Sequence, residues 1–167
     1  VEARDLTEYK VGLIQENIVR AGTINGQTRC MDATVLDIDS EDSADIVLAD
    51  VPCSGYGVIG KKPDIKYKVT PSKQEEIVIL QRKILDRAAR YVKRGGTLVY
   101  STCTIAKEEN QENVSWFLEN YPFEAVELDS CLPQELCCET TKLGYLQLLP
   151  GVHKTDGFFI AKFKRKR

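Results

Sequence analysis

Asp45-Ile-Val-Leu-Ala-Asp50 runs straight into Val51-Pro-Cys-Ser-Gly55, and Thr97-Leu-Val-Tyr-Ser-Thr102 runs into Cys103-Thr104. Each is a short apolar run closed by a polar residue, the pattern of a strand buried on both faces. In an open α/β sheet, ligands bind at the carboxyl ends of the parallel strands. Two thiols delivered to that edge, Cys53 and Cys103, point to covalent chemistry on a substrate.

Outward from these strands the chain alternates strand and helix. Val1 to Arg4 reads as the end of a strand. Thr7 to Ala21 places Val11, Ile14, Ile18 and Val19 near helical spacing, with Gly22 as a stop. Thr28 to Met31 is a short strand ending at Asp32. Cys53 to Thr70 reads as a loop without regular helix, since Gly55, Gly57, Gly60 and Pro63 interrupt it. Ser72 to Val92 is a long helix with a capping box at Ser72 and Glu75, and an apolar face of Ile77, Leu80, Ile84, Leu85 and Ala88. Gly95-Gly96 ends it, and the next strand begins at Thr97. Glu108 to Asn120 is a further helix whose leading acids suit its positive end. Phe123 to Leu128 is a strand, an irregular stretch reaches Pro150, and Phe158 to Phe163 is the last strand. The expected class is α/β, with a mainly parallel sheet, right-handed crossovers and a helical layer on each side.

The 167 residues, 43% of them hydrophobic, fit one domain spanning 1–167. A charged fraction of 29% and a net charge of -2 exclude a globally basic nucleic-acid binder but not a local basic patch. No apolar run reaches the roughly 20 residues that span a bilayer, so no membrane association is expected. The opening Val1-Glu-Ala-Arg-Asp5 resembles no secretory signal. Six cysteines could suggest a disulfide framework. Their placement beside apolar runs, and the adjacency of Cys137 and Cys138, favour reduced thiols in a cytoplasmic protein instead.

Several motifs compete for the chemistry. Gly55-Tyr-Gly57-Val-Ile-Gly60 matches a dinucleotide fingerprint in form, but Lys61-Lys-Pro-Asp64 follows where a helix must open, so that reading is set aside. Cys131, Cys137, Cys138 and His153 match no familiar zinc spacing, and no metal site is expected. No Cys-x-x-C occurs, which disfavours a thiol redox protein. His153 is the only histidine and stands in an irregular segment, so a Cys–His protease pair is disfavoured. Asp5, Asp32 and Asp50 each follow a strand in turn. As a set they suit ribose hydroxyls, a purine amine or a cation, although any one alone could simply cap a turn. Lys61-Lys-Pro-Asp-Ile-Lys-Tyr-Lys68 carries four lysines in eight residues beside a tyrosine, a candidate contact to a phosphate backbone.

Taken together, Asp50-Val-Pro-Cys-Ser-Gly-Tyr-Gly-Val-Ile-Gly60, Pro63-Asp-Ile-Lys66, Gly95-Gly-Thr-Leu-Val-Tyr-Ser-Thr-Cys-Thr-Ile105 with Glu108-Glu-Asn110, and Thr155-Asp-Gly-Phe-Phe-Ile-Ala161 resemble the Sun-type RNA cytosine-5 methyltransferases. The bacterial ribosomal-RNA members look most similar. The resemblance implies a Rossmann-like S-adenosylmethionine-dependent methyltransferase fold with an antiparallel last strand. It implies methylation of carbon 5 of cytidine in RNA, through a covalent cysteine adduct. Cys103 would be the nucleophile, Cys53 would assist proton removal and release, and Asp50 would hydrogen-bond the base. Asp5 would hold the cofactor ribose and Asp32 the adenine amine, with Asp50 also bordering the cofactor. Pro52 and Lys66 would contact substrate. The Pro-Cys pair of DNA cytosine-5 methyltransferases would instead make Cys53 the nucleophile; Thr102-Cys103 favours the RNA-type assignment.

The family's first strand and the glycine-rich loop after it have no counterpart in these residues, nor does its N-terminal RNA-binding region. The expectation is therefore a piece that binds S-adenosylmethionine weakly, is inactive alone, and has an open sheet edge prone to self-association. A noncatalytic RNA-binding or assembly module is the competing reading.

Overall fold

The computed structural model describes residues 1–167, the side chain of Lys68 excepted. The chain divides into two compact units, 1–37 and 38–167.

In the first unit, β1 (Glu2–Asp5) pairs in parallel with β2 (Gln27–Cys30), Asp5 opposite Cys30. They are joined through α1 (Glu8–Arg20). Thr7 caps that helix by accepting from the Lys10 N–H, which satisfies one of the open donors of the first turn. Gly22 follows at φ +63°, a conformation that favours glycine. Asp37 is almost fully enclosed and pairs with the guanidinium groups of Arg4 and Arg29, so its charge is balanced on two sides.

The second unit is built on β3 (Ala44–Asp50), β4 (Val92–Thr102), β5 (Phe123–Ala125), β6 (Tyr145–Leu148) and β7 (Phe158–Arg165). The strand order is β3-β4-β7-β5, with β6 also on β7. β3 and β4 are parallel, while β7 is antiparallel to β4, β5 and β6. All the strands but β7 therefore point one way: the expected mainly parallel sheet with an antiparallel last strand. β6 covers the first half of β7 and β5 the second, which is why both are short. β3 ends this sheet, with Ile46 and Leu48 about two-thirds exposed.

Helix α3 (Pro71–Tyr91) and α4 (Gln111–Asn120) supply the helical packing, and α2 (Ile65–Lys68) and α5 (Glu139–Lys142) are single turns. The core lies in this unit: Leu85, Ala88 and Ala89 of α3 meet Val92, Leu98 and Tyr100 of β4 and Phe159, Ala161 and Phe163 of β7. Phe117 of α4 anchors one end, its ring within 5.0 Å of those of Tyr121, Phe123 and Phe163.

Several boundaries differ from the sequence reading. The cap of α3 is Thr70, which accepts from Lys73 N–H ahead of Pro71 at the first helical position, rather than the box at Ser72. Gly95-Gly96 does not end that helix. β4 begins at Val92, and the glycines form an irregularity where the register with β3 jumps from Ala44↔Val92 to Ile46↔Thr97. The segment 53–70, read as loop, contains a 3-10 turn at Tyr56–Val58 and the turn α2, both too short to show a helical period. α4 starts at Gln111, three residues late, because Glu109 and Asn110 spend their side chains on tertiary hydrogen bonds. β6 was hidden in the stretch read as irregular; its edge position gives it no continuous apolar run.

Candidate active site

The carboxyl ends of β3 and β4 lie side by side, Asp50 opposite Ser101. The Ser101 hydroxyl donates to Asp50 Oδ1 at 2.8 Å, fixing an otherwise exposed carboxylate. Val51 N–H still donates to Ser101 carbonyl, the last rung before the chains turn away. Beyond that rung the two sulfurs converge, Cys53 Sγ lying 3.1 Å from Cys103 Sγ, with both residues half-buried and unbridged.

The loops that carry them are sutured at several points. Ser54 and Thr104 hydroxyls share a hydrogen bond at 2.7 Å in a buried position. Gly57 N–H donates to the Cys103 carbonyl at 3.0 Å, and Gly57 carbonyl accepts from Gly157 N–H at 2.8 Å. A Cβ on Gly57 would stand 2.1 Å from the Gly157 oxygen, so only glycine lets the backbones come together here. The second glycine of the nominal dinucleotide fingerprint thus closes the thiol loop and opens no α-helix.

The two residues beside Cys103 are pinned by Asn110, which is fully buried. Its Oδ1 accepts from Thr102 hydroxyl at 2.7 Å and its Nδ2 donates to Thr104 carbonyl at 3.0 Å and to Gln147 Oε1 at 2.7 Å. Glu109, equally buried, accepts through Oε2 from the Ser54 N–H and from Gln81 Nε2, each at 2.9 Å. Gln81 Nε2 also donates to the Pro52 carbonyl at 3.0 Å. The sequence assigns no role to Gln81, Glu109, Asn110, Ser54 or Gly57, although the last four fall within its motifs. A signal existed for Gln81, which falls four residues after Ile77 and four before Leu85 on the apolar face of α3.

Burial, then the hydrogen bond and charge of Cys103, push the Cys53 thiol from 9.0 up to about 12. The thiol therefore keeps its proton through neutral and mildly alkaline pH. Between pH 9 and about 12 the unfolded chain releases this proton and the folded one does not, so stability falls as pH rises through that window. Thermal melts should show Cys53→Ala losing less stability than the wild type between pH 9 and 12.

The remaining sequence candidates sit as follows. Lys66 is exposed, its ammonium 4.7 Å from the ring centre of Tyr67, itself 79% exposed. Lys61 is paired with Asp156 at 2.6 Å. In the first unit, Asp5 and Asp32 stand at the carboxyl ends of adjacent parallel strands. Asp5 Oδ1 accepts from Thr7 N–H at 3.3 Å. Asp32 Oδ1 takes both Thr34 N–H at 2.8 Å and its hydroxyl at 2.7 Å, and these bonds hold its carboxyl below the usual range. Each aspartate thus steadies its own turn with one oxygen, and as acceptors both suit ribose hydroxyls or a purine amine. His153 accepts at Nδ1 from Leu149 N–H. Among the described residues, no three His, Cys, Asp or Glu side chains gather as metal ligands, and no helix is long and apolar enough to cross a membrane.

A mainly parallel sheet with an antiparallel last strand, and ligand-type residues at its carboxyl ends, defines the Rossmann-like methyltransferase class, and solved structures agree. PH0851 superposes with a TM-score of 0.87 at 34% identity, covering 98% of this chain and 36% of that one. NSun6 from Pyrococcus horikoshii, solved with SFG, superposes with a TM-score of 0.78 at 28% identity, covering 99% and 41%. Residues 1–164 match the model of the 16S rRNA methyltransferase RsmB/F family, and the chain belongs to that family. It is 40% identical over 169 residues to a probable ribosomal RNA small subunit methyltransferase B of Bacillus subtilis (strain 168). That match covers 99% of this chain and 38% of the relative, so the chain spans little more than a third of that protein's length. Methyl transfer in this family depends on S-adenosylmethionine.

Proposed function

We propose that this chain carries the catalytic residues of an enzyme that methylates carbon 5 of cytidine in ribosomal RNA, through a covalent adduct on Cys103. The observation that carries the reading is the pair of sulfurs 3.1 Å apart at the ends of two parallel strands, just beyond an oriented Asp50. Carbon 5 of cytosine is a poor nucleophile until a thiolate adds to carbon 6. Cys103 makes that bond. One oxygen of Asp50 accepts from the exocyclic amine, and a solvent-derived proton shared between its other oxygen and ring N3 neutralises negative charge as it builds on the ring, an electrostatic role set in advance by Ser101.

S-adenosylmethionine, when bound, supplies the methyl group that carbon 5 takes. Within the first unit, Asp5 would hold its ribose and Asp32 its adenine amine, each as an acceptor. To finish, the carbon-5 proton must leave and the carbon 6–sulfur bond must break, returning its electron pair to Cys103. Two of the influences that hold the Cys53 proton in place come from Cys103. Burial, the largest cause, remains, but these two are lost once Cys103 is bonded to carbon, which moves the Cys53 thiol back toward its ordinary range. Pro52 and exposed Lys66 border the entry for the RNA strand, with Tyr67 as a stacking surface. A ribosomal-RNA substrate places this chemistry in the cytoplasm.

The test is nucleoside analysis of a ribosomal-RNA transcript after incubation of the full-length protein with labelled S-adenosylmethionine. Label in 5-methylcytidine is expected; label on another base or ring position would refute the reading.

A further inference from the structure

Glu109 has no part in the chemistry above, yet it is a fully buried carboxylate directly behind the thiol pair. One oxygen, Oε2, takes the backbone N–H of Ser54 and the amide of Gln81. The other, Oε1, has no hydrogen-bond partner among the described residues. A half-satisfied buried carboxyl is costly, and such groups persist where something other than stability requires them. Glu109 itself is held at its backbone: its carbonyl accepts from Tyr100 hydroxyl at 2.6 Å and from Asn113 Nδ2 at 3.1 Å. It is a fixed post on which the peptide after Cys53 hangs.

We infer that Glu109 is a positioning residue for release, holding the Cys53 loop so that its sulfur stays against Cys103. This rests on the reading of Cys103 as nucleophile and Cys53 as the release group. Besides the sutures that join the two loops, each loop has tethers of its own. Thr102 and Thr104, which flank Cys103, are pinned by Asn110 and Gln147, whereas Pro52 and Ser54, which flank Cys53, hang on Gln81 and Glu109. Loosening Glu109 therefore frees the peptide beside the release thiol, while Asn110 and Gln147 still hold both sides of the attacking one.

The inference is tested with the full-length protein, an ordinary cytidine transcript and S-adenosylmethionine, following both methylated product and covalent protein–RNA adduct. Glu109→Met removes the acceptor. It is expected to form adduct at the wild-type rate but release it roughly tenfold more slowly, the scale of losing the hydrogen bond to the Ser54 N–H that holds the Cys53 loop. Adduct then accumulates while product falls. Glu109→Gln, whose amide oxygen can still accept from the Ser54 N–H, should restore most of the release rate. A merely structural role predicts adduct and product falling together in Glu109→Met, and that result would overturn the inference. So would Glu109→Gln releasing as slowly as Glu109→Met. If Glu109→Met does not fold, Gln81→Met, which cuts the Pro52 tether, carries the same expectation, and release at the wild-type rate there counts against the tether. Failure of the underlying reading is distinguishable: wild type and Cys53→Ala would then form no adduct even on a 5-fluorocytidine transcript.

Discussion

Cys103→Ala in the full-length protein is expected to abolish methyl transfer to RNA, with a fall on the order of 10⁶-fold, the scale seen when a covalent nucleophile is removed. No other group at the strand ends can replace it. Burial, the largest cause that raises Cys53, persists in the variant, so its thiol stays protonated at neutral pH and is a poor nucleophile. The variant should fold, because Asn110 pins Thr102 and Thr104 without using the Cys103 sulfur. Removing the Cys103 hydrogen bond and charge should also let the Cys53 thiol fall toward its ordinary range. Methyltransferase assays alongside thermal melts check both points. Measurable turnover in a folded Cys103→Ala protein would mean that the bond to carbon 6 is made elsewhere.

The second large effect is of the opposite kind. Cys53→Ala should leave attack and methylation intact and stop the reaction at release, so that RNA stays covalently bound on an ordinary cytidine substrate. The wild-type protein should show little adduct at steady state. The physical reason is the 3.1 Å separation of the sulfurs, which leaves Cys53 the group best placed to take part when the Cys103 bond breaks. A denaturing gel of protein with labelled transcript reads this directly. A variant that neither methylates nor accumulates adduct would move Cys53 to the attack step.

The sheet was legible because its two adjacent parallel strands, β3 and β4, carry apolar runs ending in polar residues, a pattern that survives without knowledge of tertiary contacts. The thiols were legible for the same reason, each being the first reactive group past a strand end. Their supports were not. Glu109 and Asn110 read as the acidic opening of a helix, because nothing local distinguishes a solvated first-turn glutamate from one folded inward under a loop 55 residues earlier in the chain. Gly57 read as a loop breaker; that its backbone touches Gly157 depends on a return of 100 residues. Asp5 and Asp32 were rightly placed at strand ends, and their local bonds to Thr7 and Thr34 show the turn-capping role operating in the same residues proposed to hold a cofactor.

The separate jobs of the two thiols are best tested by trapping. Full-length protein is incubated with S-adenosylmethionine and a transcript containing 5-fluorocytidine, which cannot lose a proton from carbon 5, and the adduct is digested and mapped by mass spectrometry. The nucleotide should be found on the peptide that contains Cys103. A nucleotide on Cys53, or no adduct at all, would contradict the account.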